Sequence, residues 1–407
     1  MRVLMFGWEF PPFQAGGLAT ATLGLVKGLL GRGIEVTLVV PFAAAGTDVP
    51  HLRLVSAADP RPGLRSIRVD SPLTPYLGAE DYPVLADPAA ERPTGGAVYG
   101  ANLFEEVERY AAIAELIARE EPHDLIDTHD WLTFGAGRRA RAVSGKPLVA
   151  HIHATEYDRC GGPGNPEIHR REMVGMLLAD RVISNSHVLK RQVVERYGVP
   201  AEKVAVVHFG IDLVDEVSPL GDLPLTEDRP TVLFLGRVTR QKGPEYFIEV
   251  ARRVADHVPD AQFIVAGTGD LLPRVIERTV ELQLADQVHF AGGVRGAEVD
   301  QLYRTADVCV MPSVSEPLGL VALESLRNGT PCIIPRESGV AEVLRHALRT
   351  DFWEVDEMAN KVVGVLSHPE LWEELSDAGL AEVHHRRLGL DEAARRTAEA
   401  YRIALSP

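Results

Sequence analysis

Apolar positions along the chain keep two rhythms in turn. Short runs such as Val3-Leu4-Met5-Phe6 and Val36 to Val40 read as buried strands, and the segment Leu18 to Leu30 between them has helical spacing. After a long interval the alternation returns. Helix 104–119 leads to strands at Leu125-Ile126-Asp127, Pro147 to Ile152 and Val182-Ile183, with helix 168–179 before the last. Strands that are apolar throughout, separated by amphipathic helices, predict an α/β protein whose parallel sheets are covered on both faces. From about Phe42 to Gly100 the chain is rich in Pro, Gly and Asp and keeps neither period, which predicts loops and short strands decorating the first domain.

The pattern breaks again from Val214 to Pro219 and from Thr226 to Pro230, polar and turn-rich, as a linker would be. A fresh strand-then-glycine cycle, Thr231 to Gly236, echoes the opening of the chain. Two similar doubly wound halves follow: residues 1–215, residues 225–387, and a terminal helix at about 388–407 that packs back on the first. The length of 407 residues suits two domains of roughly 100 to 200 residues each.

Composition narrows the partners more than the fold. Hydrophobic residues make up 45% and charged residues 25%, the balance of a folded globular chain. A formal net charge of -16, with no run of Lys or Arg, repels phosphate backbones and anionic lipid, so neither nucleic acid nor a membrane is an expected partner. No apolar run approaches the roughly 20 residues that span a bilayer, and the first residues read at once as a strand. Cys160, Cys309 and Cys332 are far apart and lack zinc or disulfide spacing, which fits a cytoplasmic location.

Three segments carry candidate chemistry. Gly16 and Gly17 stand between the first strand and its helix, where backbone N–H groups and a helix N-terminus can approach an anion. Paired glycines in such a turn are also common for purely structural reasons. Arg237 and Lys242 flank the turn Gly236 to Gly243, and two cations there can neutralise a diphosphate without a metal ion, unless the loop is simply a solvated basic one. In Pro312 to Glu324, a helix starting near Leu318 would aim its amides at a phosphate or sugar, with Glu316 just ahead and Glu324 about two turns along. A carboxylate accepts two neighbouring sugar hydroxyls, although a Glu pair at this spacing is often a solvated helix face.

Taken in order, these pieces resemble the retaining nucleotide-sugar glycosyltransferases of the group 1 and glycogen (starch) synthase kind. The resemblance includes Gly16-Gly17-Leu18, Thr128-His129-Asp130-Trp131, His151-Ile152-His153-Ala154-Thr155-Glu156-Tyr157, Gly210-Ile211-Asp212, Arg237 to Lys242, Ala266-Gly267-Thr268-Gly269 and Glu316 to Glu324. It implies the GT-B fold, two Rossmann-like domains facing a central cleft. It also implies that Gly16, Gly17, Gly267, Leu318, Gly319, Leu320 and Glu324 bind the donor, and that Arg237 and Lys242 grip its diphosphate. Glu316 would hold hydroxyls of the transferred sugar, and His153 would stand near its reacting carbon. His129, Asp130, Trp131 and Glu156 would line the acceptor side, with His151, His169 and Glu172 near them.

The expected reaction is retaining, metal-independent transfer of a hexose, glucose in first place, from ADP- or UDP-glucose to an α-glucan, with no cofactor and no metal ligands. Sucrose- or trehalose-type transfer, mannosyl transfer to a small or lipid acceptor, and 2-epimerisation of a nucleotide sugar are the alternatives. Two departures from the family pattern stand out. Gln14 replaces a lysine two residues before the glycine pair, and His346-Ala347-Leu348-Arg349-Thr350 replaces a His-Gly-x-Thr-Gly loop.

Overall fold

The computed structural model describes residues 1–10, 17–41, 49–57, 103–213, 229–294, 296–384 and 388–406. The described chain separates into two compact units, Met1–Phe209 with Leu390–Pro407, and Gly210–Gly389. The expected linker 214–228, most of the 42–100 stretch, and Gln14 and Gly16 lie outside the described residues.

The first unit is built on seven parallel strands: β1 (Arg2–Phe6), β2 (Glu35–Val40), β3 (Arg53–Ser56), β4 (Leu125–His129), β5 (Leu148–Ile152), β6 (Arg181–Ser184) and β7 (Val204–Val206). They lie in the order β3-β2-β1-β4-β5-β6-β7. The chain winds outward from β1 through β2 to β3, then returns to β4 on the other side. β4 and β5 are buried along their whole length, which is why they read as unbroken apolar runs. The helices are α1 (Gly17–Gly31), α2 (Leu103–Glu120), α3 (Trp131–Ser144), α4 (Glu156–Cys160), α5 (Pro166–Leu178) and α6 (His187–Tyr197). Each of α4, α5 and α6 is capped at its start by a side chain: Thr155, Asn165 and Ser186.

The second unit repeats the plan with six strands: β8 (Thr231–Leu235), β9 (Gln262–Ala266), β10 (Val288–Gly292), β11 (Val308–Val310), β12 (Cys332–Ile334) and β13 (Leu348–Arg349). Their order is β10-β9-β8-β11-β12-β13, all pairs parallel. Alternate residues of β8 enter opposite layers: Val232 and Phe234 pack in one core cluster, Leu233 in the other. The helices are α7 (Pro244–Ala255), α8 (Leu272–Glu281), α9 (Ala297–Thr305), α10 (Leu320–Arg327), α11 (Val355–Ser367) and α12 (Pro369–Val383). The helix expected near Leu318 begins at Leu320, because Gly319 takes φ +100°, outside the helical range.

The last helix, α13 (Leu390–Leu405), returns to the first unit and packs on α1. Glycine makes that approach possible. A Cβ on Gly24 would stand 2.7 Å from Leu390 Cδ2, and one on Gly28 would stand 2.7 Å from Ala394 Cβ and 2.9 Å from the Leu390 carbonyl oxygen. Gly31, one turn on, has nothing within 4 Å of its Cβ position. We therefore expect Gly28→Val to lower stability in urea unfolding by about 1–3 kcal/mol through overpacking, with Gly31→Val as the matched control. Equal effects at the two positions would contradict this packing.

Candidate functional site

In a doubly wound sheet the chain diverges where the strand order reverses, leaving a crevice at the carboxyl ends of the two strands concerned. In the second unit that point lies between β8 and β11, and the loops leaving these strands carry Arg237, Lys242 and Glu316. The turn after β8 is fastened to the loop after β11 through the Gln241 carbonyl, which accepts the Val314 amide at 2.9 Å. Lys242 Nζ consequently lies 2.6 Å from Glu316 Oε2, which also accepts the Ser313 hydroxyl at 3.0 Å. Glu316 is 5% exposed and Lys242 about one-fifth. Arg237 donates to Gln241 Oε1 at 2.8 Å, so its guanidinium is oriented along the same turn.

The amides of Leu318, Gly319 and Leu320 at the start of α10 have no hydrogen-bond acceptor among the described residues. A cation, a buried carboxylate and open amides thus gather at one strand edge, a combination that can take an anion and a polyol together. Gly267 ends β9 at φ +144°, and a Cβ there would stand 1.8 Å from the Gly236 carbonyl oxygen, so glycine is required for the β8 and β9 turns to meet. Glu324 lies inside α10, accepts the Tyr303 hydroxyl at 3.1 Å, and has its carboxyl pushed above the ordinary range by burial.

In the first unit the reversal lies between β1 and β4. Gly17 is the first residue of α1 on the β1 side. At the end of β4, Asp130 adopts φ 60° and ψ 174°, a strained backbone for a residue with a Cβ. Hydrogen bonds hold it there: its amide donates to the His151 carbonyl at 2.9 Å, its carbonyl accepts the Thr133 amide at 3.0 Å and the Thr133 hydroxyl at 3.2 Å, and its Oδ1 accepts the His153 amide at 2.7 Å. Burial pushes the Asp130 carboxyl up to about 6. The conformation turns His129 and His153 toward each other, Nδ1 to Nε2 at 2.8 Å.

His129 and His151 stack with ring centroids 4.6 Å apart, His129 and His153 meet edge to edge through the facing nitrogens with centroids 5.1 Å apart, and Phe209 lies nearly parallel to His153 at 5.1 Å. Asp127 Oδ2 lies 3.4 Å from Nε2 of both His129 and His151 and accepts the Tyr401 hydroxyl of α13 at 2.5 Å. Burial lowers His151 to about 4, and burial followed by its two histidine neighbours takes His153 well below the ordinary value. The three rings bring nitrogens within 4.8 Å of one another, a cluster that sequence spacing did not predict. In this arrangement the 2.8 Å N···N contact between His129 and His153 needs a proton on one of the two nitrogens, so these two atoms are engaged with each other.

Three of the residues expected on the acceptor side are engaged inside the unit. Trp131 is 1% exposed, packed in the core against Phe104, because its position at the first turn of α3 faces the layer beneath. Asp130 holds the His153 turn. Glu156 is buried and accepts Arg159 and the Asn165 amide, tying down the loop between α4 and α5. Glu172 pairs with Arg159 and accepts the Tyr197 hydroxyl, with its carboxyl pushed by burial up to about 7. His169 lies against Tyr197, the ring centroids 4.4 Å apart and the planes tilted by 34°. Sequence reasoning missed Tyr401 and Arg159 altogether. For Asp127 a signal existed: an acidic residue within an otherwise apolar, fully buried strand.

Residues 15–215 match the family described as Glycosyltransferase Family 4, and residues 221–381 match Glycosyl transferases group 1. An uncharacterised glycosyltransferase of Methanocaldococcus jannaschii is 28% identical over 100% of this chain and 99% of its own. A D-inositol 3-phosphate glycosyltransferase of Geodermatophilus obscurus is 30% identical over 82% of this chain and 73% of its own. The chain belongs to the group 1 glycosyltransferase family. Its fold is GT-B, with two Rossmann-like domains. Sucrose-phosphate synthase from Thermosynechococcus elongatus superposes with a TM-score of 0.76 at 21% identity, over 99% of this chain and 98% of that one. HepE of Anabaena in complex with UDP-glucose does so with a TM-score of 0.71 at 17% identity, over 99% and 100%. No helix among the glycosyltransferase's described residues is long and apolar enough to cross a membrane.

Two outcomes follow from this geometry in the glycosyltransferase. Removing one partner from Glu316 and Lys242 leaves a charge poorly solvated, so Lys242→Met and Glu316→Gln should each cost about 1–3 kcal/mol, discounted for the partly exposed lysine. In a double-mutant cycle read by urea unfolding the pair should show coupling above about 1 kcal/mol, whereas additive costs would contradict the pairing. The second outcome concerns His151, whose folded-state value of about 4 lies below the ordinary 6.5. Its contribution to stability is therefore complete above pH 6.5 and lost as pH falls through 4. His151→Gln should flatten the fall in stability across that window, and an unchanged slope would mean that the ring is not held neutral.

Proposed function

We propose that the chain catalyses retaining transfer of a hexose, glucose in first place, from ADP- or UDP-glucose to a hydroxyl acceptor without a metal ion. The observation that carries this reading is the Lys242–Glu316 contact at the switch point of the second unit, beside Arg237 and the open amides of Leu318 to Leu320. Arg237 and Lys242 supply two positive charges for a diphosphate, which is the work a divalent cation does elsewhere. Glu316 has acceptor capacity for sugar hydroxyls, and Glu324 for those of the ribose. HepE, whose structure holds UDP-glucose, has the same fold.

In this reading the bond from the anomeric carbon to the diphosphate oxygen breaks and a bond to the acceptor oxygen forms on the same face. The acceptor's proton passes to the departing phosphate. Because negative charge grows on that phosphate as the bond stretches, fixed cations act most strongly in the transition state.

For the acceptor, the sequence resemblance favours an α-glucan. A second reading is a small phosphorylated hydroxyl compound, and what favours it is the naming of relatives for inositol 3-phosphate and of the sucrose-phosphate synthase neighbour. Three of the residues expected on the acceptor side, Asp130, Trp131 and Glu156, are engaged internally, which weakens the support for a long glucan.

Arg237→Ala and Lys242→Ala should each lower kcat/KM on the order of 10²-fold, and wild-type turnover should survive excess EDTA. The assay is nucleotide release and proton NMR of the product, with ADP- or UDP-glucose as donor and maltotriose or inositol 3-phosphate as acceptor. An α-anomeric product made in EDTA supports the reading. A β-anomeric linkage sinks retention, an absolute Mg²⁺ requirement sinks metal independence, and an isomerised nucleotide sugar without glycoside points to the epimerase.

A further inference from the structure

The family resemblance implies that His153 stands near the reacting carbon of the transferred sugar, and what it can offer there depends on which ring nitrogen carries its proton. Nε2 faces Nδ1 of His129 at 2.8 Å, while Nδ1 has no hydrogen-bond partner among the described residues. The contact itself is symmetric: either histidine can be its donor.

The far side of His129 breaks the symmetry. Its Nε2 lies 3.4 Å from Asp127 Oδ2, and both side chains are fully buried. Asp127 is surrounded by donors. The Tyr401 hydroxyl donates to Oδ2 at 2.5 Å and the Thr128 amide to Oδ1 at 2.9 Å, an arrangement that suits a carboxylate. A carboxylate facing a bare imidazole lone pair is repelled, whereas one facing N–H is attracted. His129 therefore carries its proton on Nε2, and its Nδ1 is bare. The 2.8 Å bond must then be donated by Nε2–H of His153. His151 presents its Nε2 to the same Asp127 oxygen at 3.4 Å and stacks on His129, so the buried carboxylate orients two rings at once.

We infer that Asp127 and His129 are positioning residues that fix His153 as its Nε2–H tautomer, so that the open Nδ1 accepts a hydrogen bond from a hydroxyl of the bound sugar. The backbone of His153 is held by the same neighbourhood: its amide donates to Asp130 Oδ1 at 2.7 Å and its carbonyl accepts Asn185 Nδ2 at 2.8 Å. Tyr401 brings the end of the chain into this network, since it lies 274 positions from Asp127. Burial between two further imidazoles also opposes a charged His153, which agrees with a neutral acceptor.

The inference rests on the proposed role of His153, and its test separates the two. Long-range proton–nitrogen correlation spectra of the full chain, labelled at histidine nitrogen, report the tautomer of each ring directly. The His153 signals are identified by their loss in His153→Gln. The expected wild-type pattern is protonated Nε2 with bare Nδ1 at His153, and the same at His129. Asp127→Asn should mix the tautomers of both rings and lower kcat for UDP release from UDP-glucose at least on the order of 10-fold, with a smaller change in KM, as expected when an orienting partner is lost. Should that variant fail to fold, His129→Leu removes the acceptor for Nε2–H and should mix the His153 tautomer in the same way.

A wild-type His153 protonated on Nδ1, or a tautomer unchanged in the folded variant, overturns the inference. If instead the tautomer is as expected but His153→Gln releases UDP at the wild-type rate, the sugar-facing role fails while the Asp127–His129 control of the ring stands.

Discussion

A parallel sheet delivers every strand's end to one edge, and reversal of the winding direction opens that edge at a single place. Both units obey this constraint, with β1 and β4 flanking the reversal in one and β8 and β11 in the other. The candidate residues depend on it. Lys242 and Glu316 are 74 positions apart in sequence, yet β8 and β11 are hydrogen-bonded neighbours, so the loops that leave them meet within 2.6 Å. In the same way β4 and β5 bring His129 and His153 together from positions 24 apart.

The two sites differ in how they tolerate burial of polar groups. In the second unit a carboxylate with 5% exposure is balanced by one lysine and one serine, and neighbouring amides remain open, which leaves capacity for a ligand. In the first unit most of that capacity is used internally. Asp127 takes Tyr401 and two imidazoles, Glu156 and Glu172 share Arg159, and Asp130 restrains a strained turn. Networks of this kind rigidify a unit when every member is satisfied. His153, half-buried at the rim of its network, keeps Nδ1 without a hydrogen-bond partner among the described residues, as does the buried Nδ1 of His151.

Much of this was legible in the chain. Strands buried on both faces gave unbroken apolar runs, so the elements that were anticipated, from Val3 to Phe6 through Val182-Ile183 in the first unit and Thr231 to Gly236 in the second, each fall within a few residues of an observed one, while most elements of the second unit were anticipated only as a repeat of the plan. The Arg237 to Lys242 turn and Glu316 stood out because polar residues directly after buried strands sit at the sheet edge. What was not legible came from distance and orientation. No local pattern links Tyr401 to Asp127 across 274 positions. Trp131 follows the His-Asp pair and was expected to face a ligand, but the first turn of a helix can present a side chain either outward or to the core, and packing against Phe104 decided it. Glu156 was expected to line the acceptor side, and nothing local to it showed that Arg159 would join it to Glu172 of the next helix.

The central claim is that the edge formed by Arg237, Lys242, Glu316 and the α10 amides receives the diphosphate of a nucleotide sugar without a metal. The most direct measurement is thermal unfolding of the full chain in EDTA with ADP-, UDP- and GDP-glucose in turn. At a concentration 100 times its dissociation constant, the true donor should add about 2.7 kcal/mol of stability, and the gain should shrink in Arg237→Ala. If none of the three shifts the transition in EDTA, or if the shift is the same in Arg237→Ala, the account is wrong.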